Sequence, residues 1–255
     1  MFFIDTHTHL YAEEFSEDID MVIQRASEKN VTTLLLPDID KSTRPGMLEL
    51  CKKFPEVCLP MIGLHPTSVK ADYKEELKEI ENTINDQKFY GIGETGIDLY
   101  WDKTFINEQI ESFTFQIELA LQHHLPLVIH SRKSLNEIIS ILKKYNSTGL
   151  TGVFHCFPGN IREAEQLIDM GFYIGIGGVV TYKNSTMSEV VKHFDLSHIV
   201  LETDAPYLTP VPFRGKRNES SYIPVIAKFI AQLKSIRIEE VAETTSANAN
   251  KLFSL

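Results

Sequence analysis

His7 and His9 stand two residues apart in Ile4-Asp5-Thr6-His7-Thr8-His9-Leu10, at the end of a short apolar run. Alternate side chains of a strand share a face, so both imidazoles are expected to point the same way. Two imidazoles aimed together from a strand end make a pair of metal ligands. Four more ligand-type residues close later apolar runs: Glu94 after Gly91-Ile92-Gly93, His130 after Leu127-Val128-Ile129, His155 after Gly152-Val153-Phe154, and Asp204 after Leu201-Glu202-Thr203. Four imidazoles and two carboxylates suit a divalent cation of borderline softness. Six ligands exceed one tetrahedral site. Two ions sharing Glu94 as a bridge would use them all, because paired cations sit roughly 3.5–4 Å apart, a span one carboxylate covers.

These residues need a scaffold that gathers strand ends. Strands are expected near Phe2–His7, Val31–Leu36, Cys58–Gly63, Phe89–Glu94, Leu127–His130, Val153–His155, Phe172–Ile176 and Ile199–Glu202. Between them run helix-length amphipathic segments. Ile106, Ile110, Phe113, Ile117, Ala120 and Leu121 form one stripe at helical spacing, and Leu135, Ile138, Ile139 and Leu142 another. Ile226, Phe229, Ile230 and Leu233 predict a late helix, and about Ile238–Leu252 a final one. Eight strand–helix units make an α/β fold, a (β/α)8 TIM barrel, with an extra C-terminal helix. In such a barrel the C-terminal strand ends converge on one mouth. The rival, a doubly wound open sheet, lacks its Gly-x-Gly-x-x-Gly after the first strand. With no composition break, residues 1–255 are expected to form a single domain.

Composition narrows the partners. The 255 residues carry 35 acidic against 25 basic side chains, a net charge of −10. That excludes coating nucleic acid by bulk electrostatics. It leaves room for a phosphate-bearing substrate beside bound cations, which would cancel several carboxylates locally. No apolar run reaches the roughly 20 residues of a membrane span, and no secretion signal opens the chain. Cys51, Cys58 and Cys156 are odd in number and show no Cys-x-x-Cys spacing, which fits reduced thiols in a cytoplasmic protein.

Further polar groups each carry two readings. His65, in Gly63-Leu64-His65-Pro66, either reaches a substrate oxygen or is a loop histidine hydrogen-bonded beside Pro66. Arg132, two residues after His130, either clamps a phosphate bidentately or forms a surface ion pair. Glu202 shares the parity of Asp204 and either holds a ligand imidazole from behind or makes an ordinary salt bridge. Arg214, Lys216 and Arg217 lie in the long Ala205–Ser221 segment after strand eight, as phosphate contacts or a solvated loop. Gly175, Gly177 and Gly178 let backbone approach the site, or simply turn tightly. Tyr100 and Trp101 read better as core packing than as a rim that stacks a base.

Taken in order, the motifs resemble the TatD-family metal-dependent deoxyribonucleases, within the amidohydrolase-like barrels. They are Asp5-Thr6-His7-Thr8-His9-Leu10, Gly63-Leu64-His65-Pro66, Gly93-Glu94-Thr95-Gly96-Ile97-Asp98, Ile129-His130-Ser131-Arg132, Phe154-His155-Cys156-Phe157-Pro158-Gly159, Leu201-Glu202-Thr203-Asp204-Ala205-Pro206-Tyr207-Leu208 and Arg214-Gly215-Lys216-Arg217-Asn218-Glu219. Related amidohydrolases often place a carboxylated lysine after strand four, where this chain has Glu94. One departure is Ser220, where the family often has proline.

The resemblance implies His7 and His9 on a first ion completed by Asp204, His130 and His155 on a second, and Glu94 between them. It implies hydrolysis of DNA phosphodiesters by metal-activated water, often as a 3′→5′ exonuclease on single strands. Asp204 would orient the water and accept its proton, with Arg132, His65 and Arg217 on the phosphate. DNA is then the substrate, with no membrane and no obligate protein partner. Zn²⁺, Mg²⁺ and Mn²⁺ all remain open as the metal. The alternative is an amidohydrolase or esterase acting on a small carbonyl substrate or an aminoacyl-tRNA ester; a third reading is a metal-binding scaffold without catalysis.

Overall fold

A computed structural model describes residues 1–255. Eight strands alternate with helices: β1 Phe3–Asp5, α1 Ile19–Glu28, β2 Val31–Leu36, α2 Arg44–Lys53, β3 Cys58–Pro60, α3 Tyr73–Thr83, β4 Ile92–Asp98 and α4 Ile106–His123. There follow β5 Leu127–Arg132, α5 Leu135–Leu142, β6 Gly152–Phe154, α6 Ile161–Asp169, β7 Phe172–Ile176, α7 Met187–His193, β8 Ile199–Leu201 and α8 Ile223–Lys234. A ninth helix, α9 Ile238–Phe253, follows the eighth unit. All strand pairs are parallel, in the orders β1-β2-β3 and β4-β5-β6-β7-β8. Short contacts join the two runs into a ring. Gly93 N donates to Ile62 O at 2.8 Å on one side; Thr6 N donates to Leu201 O at 3.0 Å on the other. This is the expected TIM barrel. No helix is long and apolar enough to cross a membrane.

Two apolar layers follow from strands buried on both faces. The larger lies between strands and helices and takes Leu34, Leu36, Leu127, Ile129, Phe154, Ile199 and Leu201. The smaller fills the barrel interior with Ile4, Leu35, Leu59, Met61, Val128, Val153 and Val200, and is joined by Ala249, Leu252 and Phe253 of α9. The extra C-terminal helix is therefore a plug at the end of the barrel away from the strand C-termini.

Interior parity then runs straight up three strands. Val128 leads to His130, Val153 to His155, and Val200 to Glu202, while Asp204 lies beyond the end of β8 with φ +55°. β1 and β4 do not follow that rule. Ile4 faces the interior, so a regular strand would send His7 outward. Instead β1 stops at Asp5 and bends at Thr6, and His7 turns back to the mouth. In β4 the expected end at Glu94 is corrected: the strand runs Ile92–Asp98, and its register slips between Ile92 and Thr95. A bulge of this kind sends successive residues to one side and re-aims a side chain. Gly93 has no room for a side chain, since a Cβ there would meet Val128 at 2.6 Å, and Glu94 follows it inward. Gly96 has φ +140°, and a Cβ would lie 2.0 Å from His130 O. Only glycine lets β4 and β5 approach this closely, which sets Glu94 and Asp98 beside His130.

Candidate metal centre

Five imidazoles meet at one buried carboxylate. Glu94 is 2 % exposed. Its Oε1 lies 2.9 Å from His130 Nδ1, 2.9 Å from His155 Nε2 and 3.3 Å from His65 Nε2. Its Oε2 lies 3.1 Å from His7 Nε2 and 3.6 Å from His9 Nε2. Asp204 joins the second group, with Oδ1 at 3.7 Å from His7 Nε2 and 3.4 Å from His9 Nε2. The two groups touch through the stacked rings of His7 and His155, 3.9 Å between centroids. All six expected ligands, and His65 with them, are thus brought together. Side chains close enough to share a metal ion include the sets His7, His9, Glu94 and His65, Glu94, His130.

The outer hydrogen bonds decide what each ring presents to the cup. Tyr11 Oη donates to Pro37 O at 2.5 Å, so it must accept from His9 Nδ1 at 2.9 Å. That leaves a lone pair on His9 Nε2. Asp98 Oδ2 accepts from His130 Nε2 at 2.9 Å, which frees His130 Nδ1 in the neutral ring. His65 is the reverse. Thr67 N donates to its Nδ1 at 3.2 Å, so the neutral ring turns an N–H towards Glu94. His9 and His130 thus turn a lone pair towards the cup, and His65 an N–H.

Lone pairs facing carboxylate oxygens across 3.4–3.6 Å repel unless a positive charge lies between. The titration pattern expresses the same demand. Burial opposes charge on His155, yet Glu94, Glu202 and Asp204 push its pKa up to about 10. Burial and the neighbouring His155 lower that of His7 to about 4. Burial would raise Glu94, but the imidazoles around it hold it well below the usual range. Buried Nδ1 atoms of His7 and His155 have no partner. The donor set fits a divalent cation, because a cation would satisfy both carboxylates and leave the imidazoles neutral.

Tyr11 and Asp98 escaped the sequence reading as holders of ligand rings. Their signal was parity: Tyr11 continues the His7, His9 spacing, and Asp98 lies four residues after Glu94 on one strand. Glu202 is fully buried and accepts from Cys156 N at 2.5 Å; its Oε1 stands 3.8 Å from His155 Nδ1, too far for a hydrogen bond. Gly175 makes its room, since a Cβ would meet Glu202 Oε2 at 2.5 Å.

Three expectations change. Arg217 does not reach the cup: its guanidinium pairs bidentately with Asp18 at 2.8 Å, bonds Glu14 O and covers the Phe15 ring. With Arg25 bonded to Asp18 and Glu219, it pins the loop after β8 onto α1. Arg214 lies over Tyr182 and Lys216 over Phe213, so these cations brace the loop as well. Tyr100 and Trp101 are surface residues, 44 % and 64 % exposed, because β4 ends at Asp98 and the chain turns out over the rim. Arg132 makes no ion pair and stacks 4.0 Å over Tyr100.

The cup opens into a cavity of about 1080 Å³ whose wall includes His9, His65, Trp101, Arg132, Cys156 and Tyr207. Comparison with known proteins agrees with the motifs. The model of the TatD-related DNase family matches residues 4–254. The chain is similar to the uncharacterized metal-dependent hydrolase YabD of Bacillus subtilis, 38 % identical over 98 % of each chain. It is also similar to the uncharacterized metal-dependent hydrolase YcfH of Escherichia coli K12, 31 % identical over 99 % of this chain and 96 % of that one. Among solved structures, the TatD homologue YjjV of Escherichia coli K12 superposes with a TM-score of 0.93 at 27 % identity, covering 99 % of this chain and 98 % of that one. A whole-length family match, carried on a barrel whose strand ends bring those same motifs to one cup, places this chain in the TatD-related DNase family.

Proposed function

We propose that the chain is a divalent-metal-dependent hydrolase that cleaves DNA phosphodiesters, taking nucleotides from the 3′ end of a single strand. The observation that carries this is the division of Glu94, each of whose oxygens faces its own histidine group. His7, His9, Asp204 and Glu94 would hold one cation; His130, His155 and Glu94 would hold a second. Such cations supply positive charge to phosphoryl oxygens and lower the pKa of water to about 7. The remaining work belongs to the protein. Asp204, whose buried carboxyl the surrounding histidines hold below the usual range, would take the proton. His65 turns its N–H to the same space and would donate to a phosphoryl oxygen. Arg132, free of carboxylate partners, would pair with a phosphate at the rim. The family's description as DNases supports DNA as the substrate.

Asp98 and Tyr11 would orient their rings for binding. Asp98→Asn is therefore expected to weaken metal affinity by about 10–100-fold, as loss of a ligand's outer partner typically does. Calorimetric titration with Zn²⁺ would measure it, and unchanged affinity would remove Asp98 from this role.

The function itself is tested with chelator-treated protein resupplied with Zn²⁺, Mg²⁺ or Mn²⁺. It is offered single-stranded DNA, RNA, an aryl phosphodiester and an aryl ester. Mononucleotides released from the DNA 3′ end in metal, and none in chelator, are expected. Cleavage of the ester alone would move the chain to carbonyl chemistry. Two bound equivalents without cleavage of anything would leave a scaffold.

A further inference from the structure

Trp101 is the chain's only tryptophan, and the protein holds it 64 % exposed on the wall of the cavity that contains the metal cup. It is not alone there. Tyr100 packs edge-on against it at 4.9 Å, and the Arg132 guanidinium lies 4.0 Å from the Tyr100 ring centre and 5.0 Å from that of Trp101. Lys133 Nζ stands 5.0 Å from Tyr100 on the same rim. In a chain of net charge −10, whose Arg217 is tied to Asp18 away from the cup, Arg132 keeps its donors free. The rim is also fastened to the cup. Asp98 Oδ1 accepts from Tyr100 N at 2.8 Å and Trp101 N at 3.0 Å, while its other oxygen holds His130.

An exposed flat ring with an unpaired guanidinium beside it is what a nucleotide needs. Its base stacks on an aromatic face whatever its identity, and its phosphate takes the planar donors. We infer that Trp101 and Arg132 form a clamp for the nucleotide next to the scissile phosphate, Trp101 stacking the base and Arg132 pairing with its phosphate. This rests on the reading of the substrate as DNA. It gives a physical reason for the single-strand preference already proposed: a base must leave its own stack to lie on Trp101, so paired ends are disfavoured.

The single tryptophan makes its own probe. The full chain with Mg²⁺ is titrated with a cleavage-resistant phosphorothioate thymidylate pentamer, and with an abasic phosphorothioate of equal length, following tryptophan emission. Saturable quenching by the pentamer, at least about tenfold weaker with the abasic chain, is expected from stacking of one base. In turnover of an ordinary pentamer, Trp101→Ala should raise KM about tenfold with kcat within about twofold, and Trp101→Phe should recover most of the loss. Equal quenching by both ligands, no quenching, or a Trp101→Ala variant that loses kcat and bound metal together would overturn the clamp. Quenching without DNA hydrolysis would keep the clamp and sink the nuclease reading. Hydrolysis without quenching would do the opposite.

Discussion

Glu94→Gln is expected to cut DNA hydrolysis by at least about a thousandfold and to lower bound metal from two equivalents to one or none. Losing a single electrostatic stabiliser costs about 10²–10³ in rate, and Glu94 would serve both cations at once. The amide keeps the volume of the carboxylate but not its charge, and one of its two ends must present N–H groups. Oε1 faces three imidazole nitrogens within 3.3 Å and Oε2 faces two within 3.6 Å, so neither orientation can serve both groups. Metal content by elemental analysis, beside turnover of a single-stranded oligonucleotide, checks the result. A circular dichroism spectrum like that of the parent would show that the barrel remains. Two tightly bound equivalents and near-parent turnover would refute the bridge.

Arg44→Met is expected to destabilise the fold by about 3–5 kcal/mol, because it strands buried carboxylates rather than removing a surface charge. Arg44 begins α2, where a cation opposes the helix dipole, so three carboxylates rather than the helix account for it. Its Nε meets Asp38 Oδ2 at 2.6 Å, Nη1 meets Glu79 Oε1 at 2.8 Å, and Nη2 lies 3.8 Å from Glu76 Oε1. Asp38 is fully buried, and burial pushes its carboxyl up to about 7 even with Arg44 pulling it down. The sign follows from proton counts. Folded Asp38 holds a proton that the unfolded chain has released above its ordinary value of 3.8. Stability therefore falls as pH rises from there through about 7, and without Arg44 the fall extends higher. The deficit of the variant should be larger at pH 8 than at pH 5. Urea unfolding at both values measures it, with a Tm lower by about 10 °C expected for a chain of this size. A loss under about 1 kcal/mol would mean that water reaches these groups. The damage should reach the cup, because Asp38 N donates to Gly93 O at 3.0 Å and its own carbonyl accepts from Glu94 N at 2.8 Å.

Much of the barrel was legible because alternation of apolar runs is a local property. The Ile106–Leu121 stripe is α4 and the Leu135–Leu142 stripe is α5. Strand ends were less so. Glu94 reads as the close of an apolar run, yet β4 continues to Asp98 because Thr95 and Gly96 find partners on β5 that no local pattern announces. Tyr100 and Trp101 look like core by composition; their exposure depends on where the chain turns after β4.

Six ligand-type side chains at strand ends, and a repeating strand–helix unit to gather them, were determined by the sequence alone. Closing an apolar run is a local property, so the segments of His130, His155 and Asp204 by themselves put these residues at the mouth of the barrel. Tertiary structure decided the rest. It alone showed the bend after Asp5 and the bulge in β4 that bring His7 and Glu94 into phase with the others. It also turned His65 into a donor and Asp98 into a holder of His130. Arg217 shows the reason most directly: its partner Asp18 lies 199 residues earlier, and a guanidinium goes to whichever carboxylate the fold brings within reach.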